Sequence, residues 1–213
     1  MKLALKKLLQ ANPSIQVSTL LSGSLSTPSA KGAFDDSKTY QLIAATSVGS
    51  TTTTIDFNSI SQSYTHLILI GNARMNNSNT NGSFTARWNG GTSGDSYSAK
   101  VQMYKLGTST YGNSGAISNY NGIYVPCCGN VASSGVFGHF RVVIPNYKHT
   151  DKKRGALVVG GYDTNTVSNG SYDDGTITSH APTSTTSSAV TSLQCYDSSG
   201  FLAGSRLHLF GVK

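Results

Sequence analysis

The chain has 213 residues and a net charge of +7, and all nine of its acidic residues are Asp. The absence of Glu excludes a glutamate-based glycosidase pair and a His-Glu-x-x-His zinc site. Charged residues make up only 12% of a sequence rich in Ser, Thr, Gly and Asn, which is typical of strands and turns and predicts an all-β fold.

The basic excess is concentrated at the N-terminus. Residues 1–34 hold four lysines and no acid, whereas the rest has twelve basic and nine acidic residues. Residues 2–11 show a helical pattern, and a Ser/Thr/Gly-rich stretch follows. We therefore predict an anchoring arm at 1–34 and a β domain at 35–213. The predicted anchoring residues are Lys2, Leu5, Lys6, Lys7, Leu8 and Leu9.

The same charges bear on partners. Because the β domain is nearly balanced, no nucleic-acid partner is expected. Lys6 and Lys7 interrupt the N-terminal apolar stretch after three residues, so no signal peptide is predicted. No apolar run approaches membrane-spanning length, and no membrane partner is expected.

From Tyr40 onward, about ten short strand patterns alternate with turn clusters, which is typical of an antiparallel sandwich or barrel. Asn89-Gly90-Gly91 predicts a turn, and a long loop is predicted after Leu106. The strand patterns cover 40–45, 51–57, 65–74, 83–88, 96–106, 122–126, 136–144, 156–162, 176–180, 189–196 and 205–212.

The central strand pattern is apolar on both faces. Leu67 and Leu69 fall on one face, and His66, Ile68 and Ile70 on the other. A strand of this kind needs cover on both sides. We expect a second layer, or a neighbouring subunit, over His66 and Ile68, with His66 as a hydrogen-bonded interior or interface residue.

Candidate chemistry is sparse. Cys127, Cys128 and Cys195 form neither a disulfide framework nor a zinc pattern, and are interpreted as small buried or surface thiols. Neither a metal site, nor a cofactor, nor catalytic residues are predicted.

Two surface features are candidates for partner contact. The first is a basic turn, for which a solvated turn and a contact with an acidic subunit are alternative interpretations. The second is a set of tyrosines placed mainly in loops among Asn, Ser and Gly, a mixture used both by sugar-binding loops and by subunit interfaces. The candidates are His149, Lys152, Lys153 and Arg154 in the turn, and Tyr111, Tyr120, Tyr124 and Tyr172 in the loops.

Several short motifs, in this order along residues 40–213, resemble a family of tailed-bacteriophage virion proteins of tail, fibre or capsid-associated type. The N-terminal arm lies outside the resemblance. The motifs are Tyr40 to Gly49, Phe57-x-x-Ile60, Ser63 to Leu67, Gly71-x-Ala73-Arg74, Arg87 to Gly91, Ile144 to Arg154, and Ala189 to Lys213 with Phe201, Gly204-Ser205 and Leu209 to Lys213.

The resemblance implies a jelly-roll-like β-sandwich that is a non-enzymatic structural part of a phage virion, assembled in the host cytoplasm. It implies other capsid or tail subunits as partners, and the architecture of such attachments implies a homotrimer. The alternative function is a tail protein that binds host-surface glycan through the tyrosine loops.

Overall fold

The computed structural model describes residues 39–79, 81–90, 97–105, 114–120, 122–152, 155–162, 174–182 and 187–213, with side chains in all of these except 97–105, 114–120 and 174–182. These residues form twelve β-strands and no helix, so the all-β prediction is confirmed for them. The predicted helix at residues 2–11, the anchoring residues and the boundary between residues 34 and 35 lie outside the described residues.

The strands are short and follow one another at turn clusters, as the pattern predicts. In chain order they are β1 (Tyr40–Ser47), β2 (Thr52–Phe57), β3 (His66–Ala73), β4 (Asn81–Trp88), β5 (Tyr97–Lys105), β6 (Ser114–Tyr120), β7 (Ile123–Cys128), β8 (Gly138–Pro145), β9 (Ala156–Gly161), β10 (Asp174–Pro182), β11 (Leu193–Phe201) and β12 (Arg206–Val212).

The strands form two antiparallel sheets, which confirms the two-sheet prediction. The eight-stranded sheet has the order β1-β12-β3-β8-β9-β10-β5-β6, and the four-stranded sheet has the order β2-β11-β4-β7. The two-sided apolar strand β3 lies between β12 and β8, inside the larger sheet. In this position the backbone of β3 forms hydrogen bonds with a neighbouring strand on each side.

A single core joins the inner faces of the two sheets. Phe84 of the four-stranded sheet meets Phe140 of the eight-stranded sheet edge to face, with ring centroids 5.0 Å apart. Leu67 and Leu69 are fully buried in the same cluster, and burial of each such side chain contributes about 1.5–3 kcal/mol. The arrangement is that of a β-sandwich.

Close packing at one edge of the core requires a glycine. Gly211 of β12 lies under the ring of Tyr64, and a Cβ at this position would fall on that ring. Tyr64 is thereby buried over the end of the strand.

Four predicted details are wrong. The loop predicted after Leu106 contains strand β6. The strand predicted at 189–196 is β11, which begins later, at Leu193, and extends to Phe201. Strand β8 begins at Gly138 rather than at residue 136. Alternation along β2 predicts that Thr53 points inward with Ile55, but Thr53 is exposed where the pairing of β2 with β11 becomes irregular beyond Tyr196.

Candidate functional site

The outer face of the eight-stranded sheet carries an apolar row that crosses five strands. Residues directly opposite in antiparallel pairs share a face, so the pairing registers place these side chains next to one another. The apolar row consists of Leu42, Phe210, Ile68, Val143 and Leu157. With strands about 4.8 Å apart, the row extends roughly 19 Å across the sheet.

The ends of the apolar row are open to solvent. Leu42 is 52% exposed at one end and Leu157 is 46% exposed at the other, while Ile68 at the centre is only 4% exposed between its neighbours. The inward residues of the same strands, such as Leu67 and Val142, are fully buried in the core. The strands therefore present apolar side chains on both faces, and the expectation of a second layer or a neighbouring subunit over His66 and Ile68 stays a prediction.

Cationic side chains border the apolar row on one side. The next row lies two residues further along the strands, about 7 Å from the apolar row. In this row the exposed residues Ile70 and Val159 alternate with polar side chains. We call the polar members the basic rows: His208 and Arg141 in the nearer row, and Arg206, Asn72 and His139 in the next. Among the described residues of these five strands there is no Asp.

His66 lies beside the apolar row and has a defined partner. Its Nδ1 atom accepts a hydrogen bond of 3.1 Å from the backbone N–H of Asn146, at the start of the turn after β8. The imidazole is half-buried. The predicted hydrogen bond of His66 is therefore confirmed, whereas the choice between an interior and an interface residue stays open.

The basic turn between β8 and β9 is only partly described. His149 Nδ1 lies 3.5 Å from Asp151 Oδ1, with side chains 51% and 66% exposed, and Lys152 is exposed beside them. A contact so open to water contributes little to stability. Lys153 and Arg154 lie outside the described residues.

The prediction that the candidate tyrosines lie in loops is corrected at two positions, Tyr124 and Tyr120. Tyr124 is not in a loop but in strand β7, on the outer face of the four-stranded sheet. Tyr120 is the last residue of β6, and its side chain is outside the description, as are Tyr111 and Tyr172 entirely. The structure therefore locates only one of the four predicted side chains.

Tyr124 belongs to a row that sequence reasoning missed. The registers place Thr54, Tyr196, Thr85 and Tyr124 next to one another across the sheet, and we call these four residues the tyrosine row. The neighbouring row holds Asp56, Gln194 and Arg87. The sequence signal that could have revealed the tyrosine row is the strict alternation of Tyr196 with the inward Cys195.

The three cysteines are buried, and all are free thiols. Burial raises the pKa of the Cys127 thiol well above its usual range and raises the pKa of Cys195 strongly. The Cys128 thiol donates a hydrogen bond of 3.1 Å to the carbonyl oxygen of Val136. Because neutral buried thiols are poor nucleophiles and poor metal ligands, these residues belong to the core.

The described part of the chain holds no cluster of three or more His, Cys, Asp or Glu side chains that could bind a metal ion. None of the described segments is a helix long and apolar enough to span a membrane.

Comparison with known proteins adds no name to these surfaces: no family model, curated protein or solved structure matches the chain. The two outer faces, one apolar and basic and the other rich in tyrosine, are thus the features from which a function is to be inferred.

Proposed function

We propose that this protein is a non-enzymatic structural component of a bacteriophage virion that decorates, or is attached to, the capsid or tail. In this proposal the β domain self-associates, as a homotrimer, and residues 1–34 tether it to another virion protein. The observation that carries the proposal is the apolar row, because a contiguous apolar surface rimmed by polar side chains is typical of a protein–protein contact.

The strand order supports a jelly roll as the finer description of the fold. Four strands of the larger sheet, β1-β12-β3-β8, lie against the order β2-β11-β4-β7, and the chain moves between these two sets as interleaved Greek keys do. The β5–β6 and β9–β10 pairs are then two insertions that extend the larger sheet beyond β8. Jelly rolls of this kind build many viral capsid proteins.

Self-association accounts for the apolar row better than isolation does. Leu42, Leu157 and Val159 are each between 42% and 52% exposed, and each gains about 25 cal/mol for every Å² of apolar surface removed from water. Another copy of the chain supplies a surface of the same apolar character, and closed homo-oligomers are the common form of such assemblies. The residues on this face do not need to change their inward packing to make the contact.

Light scattering coupled to size exclusion tests the self-association. The wild-type chain at micromolar concentration should have about three times its mass of 22.3 kDa. Leu42→Asp and Leu157→Asp should each yield monomer, since a carboxylate would have to be desolvated in the contact. The matched control is Thr53→Asp, at an exposed position on the other sheet, which should leave the mass unchanged. A monomeric wild-type chain would overturn the self-association.

The tether has a separate test. A chain lacking residues 1–34 should remain folded and keep its oligomeric mass, because the described core begins after that point. It should fail to join phage particles when it replaces the full chain during assembly. Normal incorporation of the truncated chain would refute the tether while leaving self-association intact.

A further inference from the structure

In the tyrosine row a small side chain lies between two tyrosines, and we call this position the notch. Tyr196 and Tyr124 are on strands β11 and β7, and Thr85 lies between them on β4. The two tyrosines are thus two strand spacings, about 10 Å, apart, with a much smaller side chain between them. Both tyrosines are partly exposed, whereas the alternate residues Ala86 and Cys195 are fully buried and fix the backbone beneath.

Polar contacts already hold this face in one arrangement. The guanidinium of Arg87 lies over the ring of Tyr196, with its central carbon 4.2 Å from the ring centroid. Thr85 Oγ1 donates a hydrogen bond of 3.1 Å to the backbone carbonyl of Tyr196. Gln194 Nε2 donates a hydrogen bond of 2.9 Å to Asp56 Oδ1. Side chains ordered in this way lose little entropy when a ligand binds.

The composition of the face matches one class of ligand. A pyranose ring has an apolar C–H surface and a rim of hydroxyl groups, so it needs an aromatic plane beside planar donors and acceptors. Tyrosine supplies a rigid amphipathic plane, and Arg87, Gln194 and Asp56 supply amide, guanidinium and carboxylate groups one row away. Among the described side chains of the eight-stranded sheet, the apolar row offers no such set, because its exposed members Leu42 and Leu157 are aliphatic.

We propose that the outer face of the four-stranded sheet binds an oligosaccharide of pyranose sugars. The sugar chain lies across the strands over Thr85 and contacts both Tyr196 and Tyr124. Arg87 is a specificity-determining residue, since its guanidinium lies over the Tyr196 ring that the sugar contacts. The site is on the opposite face of the sandwich from the apolar row, so a self-associated protein keeps it available.

The test uses the full chain and an array of purified oligosaccharides from bacterial surface polysaccharides, followed by calorimetry with the strongest binder. Tyr196→Ala and Tyr124→Ala should each weaken that binding at least tenfold, because a loss of about 1.4 kcal/mol is a tenfold change. Thr85→Gln should weaken it similarly by filling the notch with a longer, uncharged side chain. Tyr40→Ala, at a tyrosine 50% exposed on the other sheet, is the matched control and should bind normally.

Folding and assembly are checked independently. Thr85→Gln removes no packed aromatic ring, so it remains informative if either alanine variant loses its cooperative thermal transition. An array without a binder overturns the proposal, and so does a binder that is unaffected by all three variants. None of the three substitutions should alter the oligomeric mass, whereas Leu157→Asp should alter the mass and leave binding to the array intact. Failure of the oligosaccharide site is therefore distinguishable from failure of the proposed assembly.

Discussion

The two outer faces of this sandwich are built by the same alternation but carry different chemistry. The eight-stranded sheet displays the apolar row with the basic rows beside it, and the four-stranded sheet displays tyrosines with amide, carboxylate and guanidinium groups. The inner faces are alike, since both are apolar and join in one core. Packing in the core therefore constrains every second residue of each strand. The outward-facing residues are free of this constraint, so each sheet can carry side chains suited to a different partner.

The largest expected effect separates the inner face of a strand from its outer face. Leu69 is fully buried and its neighbour Ile70 in β3 is 39% exposed. We expect Leu69→Ala to lower the free energy of unfolding by about 2–5 kcal/mol, because it leaves a cavity in the core. Ile70→Ala, the matched control, should cost less than about 1 kcal/mol in a monomeric background such as Leu157→Asp. Urea unfolding measures both, and equal costs would contradict the assignment of the faces.

The next effect concerns pH and arises from the core alone. Burial raises the pKa values of the Cys127 and Cys195 thiols in the folded protein, whereas unfolded thiols ionise near pH 8.5. Because the thiol pKa is higher in the folded than in the unfolded protein, stability is fully present at pH values below the pKa of the unfolded thiol. Stability is lost as the pH rises above that value. Each thiol should then lower the free energy of unfolding by about 1.4 kcal/mol per pH unit above pH 9.

Urea unfolding at pH 8, 9 and 10 under reducing conditions measures this slope. Cys195→Ala is the control, because it should remove the slope due to Cys195 while leaving that of Cys127. If the free energy of unfolding falls with pH equally in the variant and in the wild-type chain, Cys195 does not lose its proton on unfolding. Cys127 and Cys195 both lie in the core, so the slope that they contribute sharpens the contrast between the core and the two surfaces.

The smallest effect tests which kind of partner covers the apolar row. When copies of the chain bury this face against one another, the basic rows of neighbouring copies approach, and salt screens their repulsion. Raising the salt concentration from about 0.05 M to 0.5 M should strengthen self-association by roughly threefold to tenfold. Sedimentation equilibrium measures the change, and Arg141→Gln should reduce it. Weakening by salt would indicate attraction to carboxylates instead of contact between like-charged faces.

Much of the local structure could be predicted because alternation is a local property. The placement of Ile68 and Ile70 opposite Leu67 and Leu69 follows from two-residue periodicity, and the structure has that arrangement. Strand β6 was missed because Ser114–Tyr120 has the composition of a loop, and pairing with β5 rather than its own apolar pattern makes it a strand. Tertiary context decided that segment.

Long-range register could not be read from the sequence. The turn at Asn89-Gly90 was predicted, and both residues have positive φ angles of 55° and 69°. Yet β4 does not form a hairpin with β5, since its neighbours are β11 and β7. Asn89 Oδ1 instead accepts a hydrogen bond of 2.7 Å from the backbone N–H of Thr191. The apolar row and the tyrosine row depend on such pairings between distant strands, so their existence required the structure.

The pairing of β1 with β12 has a consequence for how the protein folds. Tyr40 is opposite Val212, so the first described strand completes its ladder only with the last strand of the chain. Closing so large a loop is entropically costly and is expected to make folding slow compared with domains dominated by local contacts. On the ribosome, β1 must wait with its edge unpaired until β12 has emerged, and Tyr40 and Leu42 remain uncovered during that time. The strand that ends the apolar row is thus also the segment most exposed to misassembly before the protein is complete.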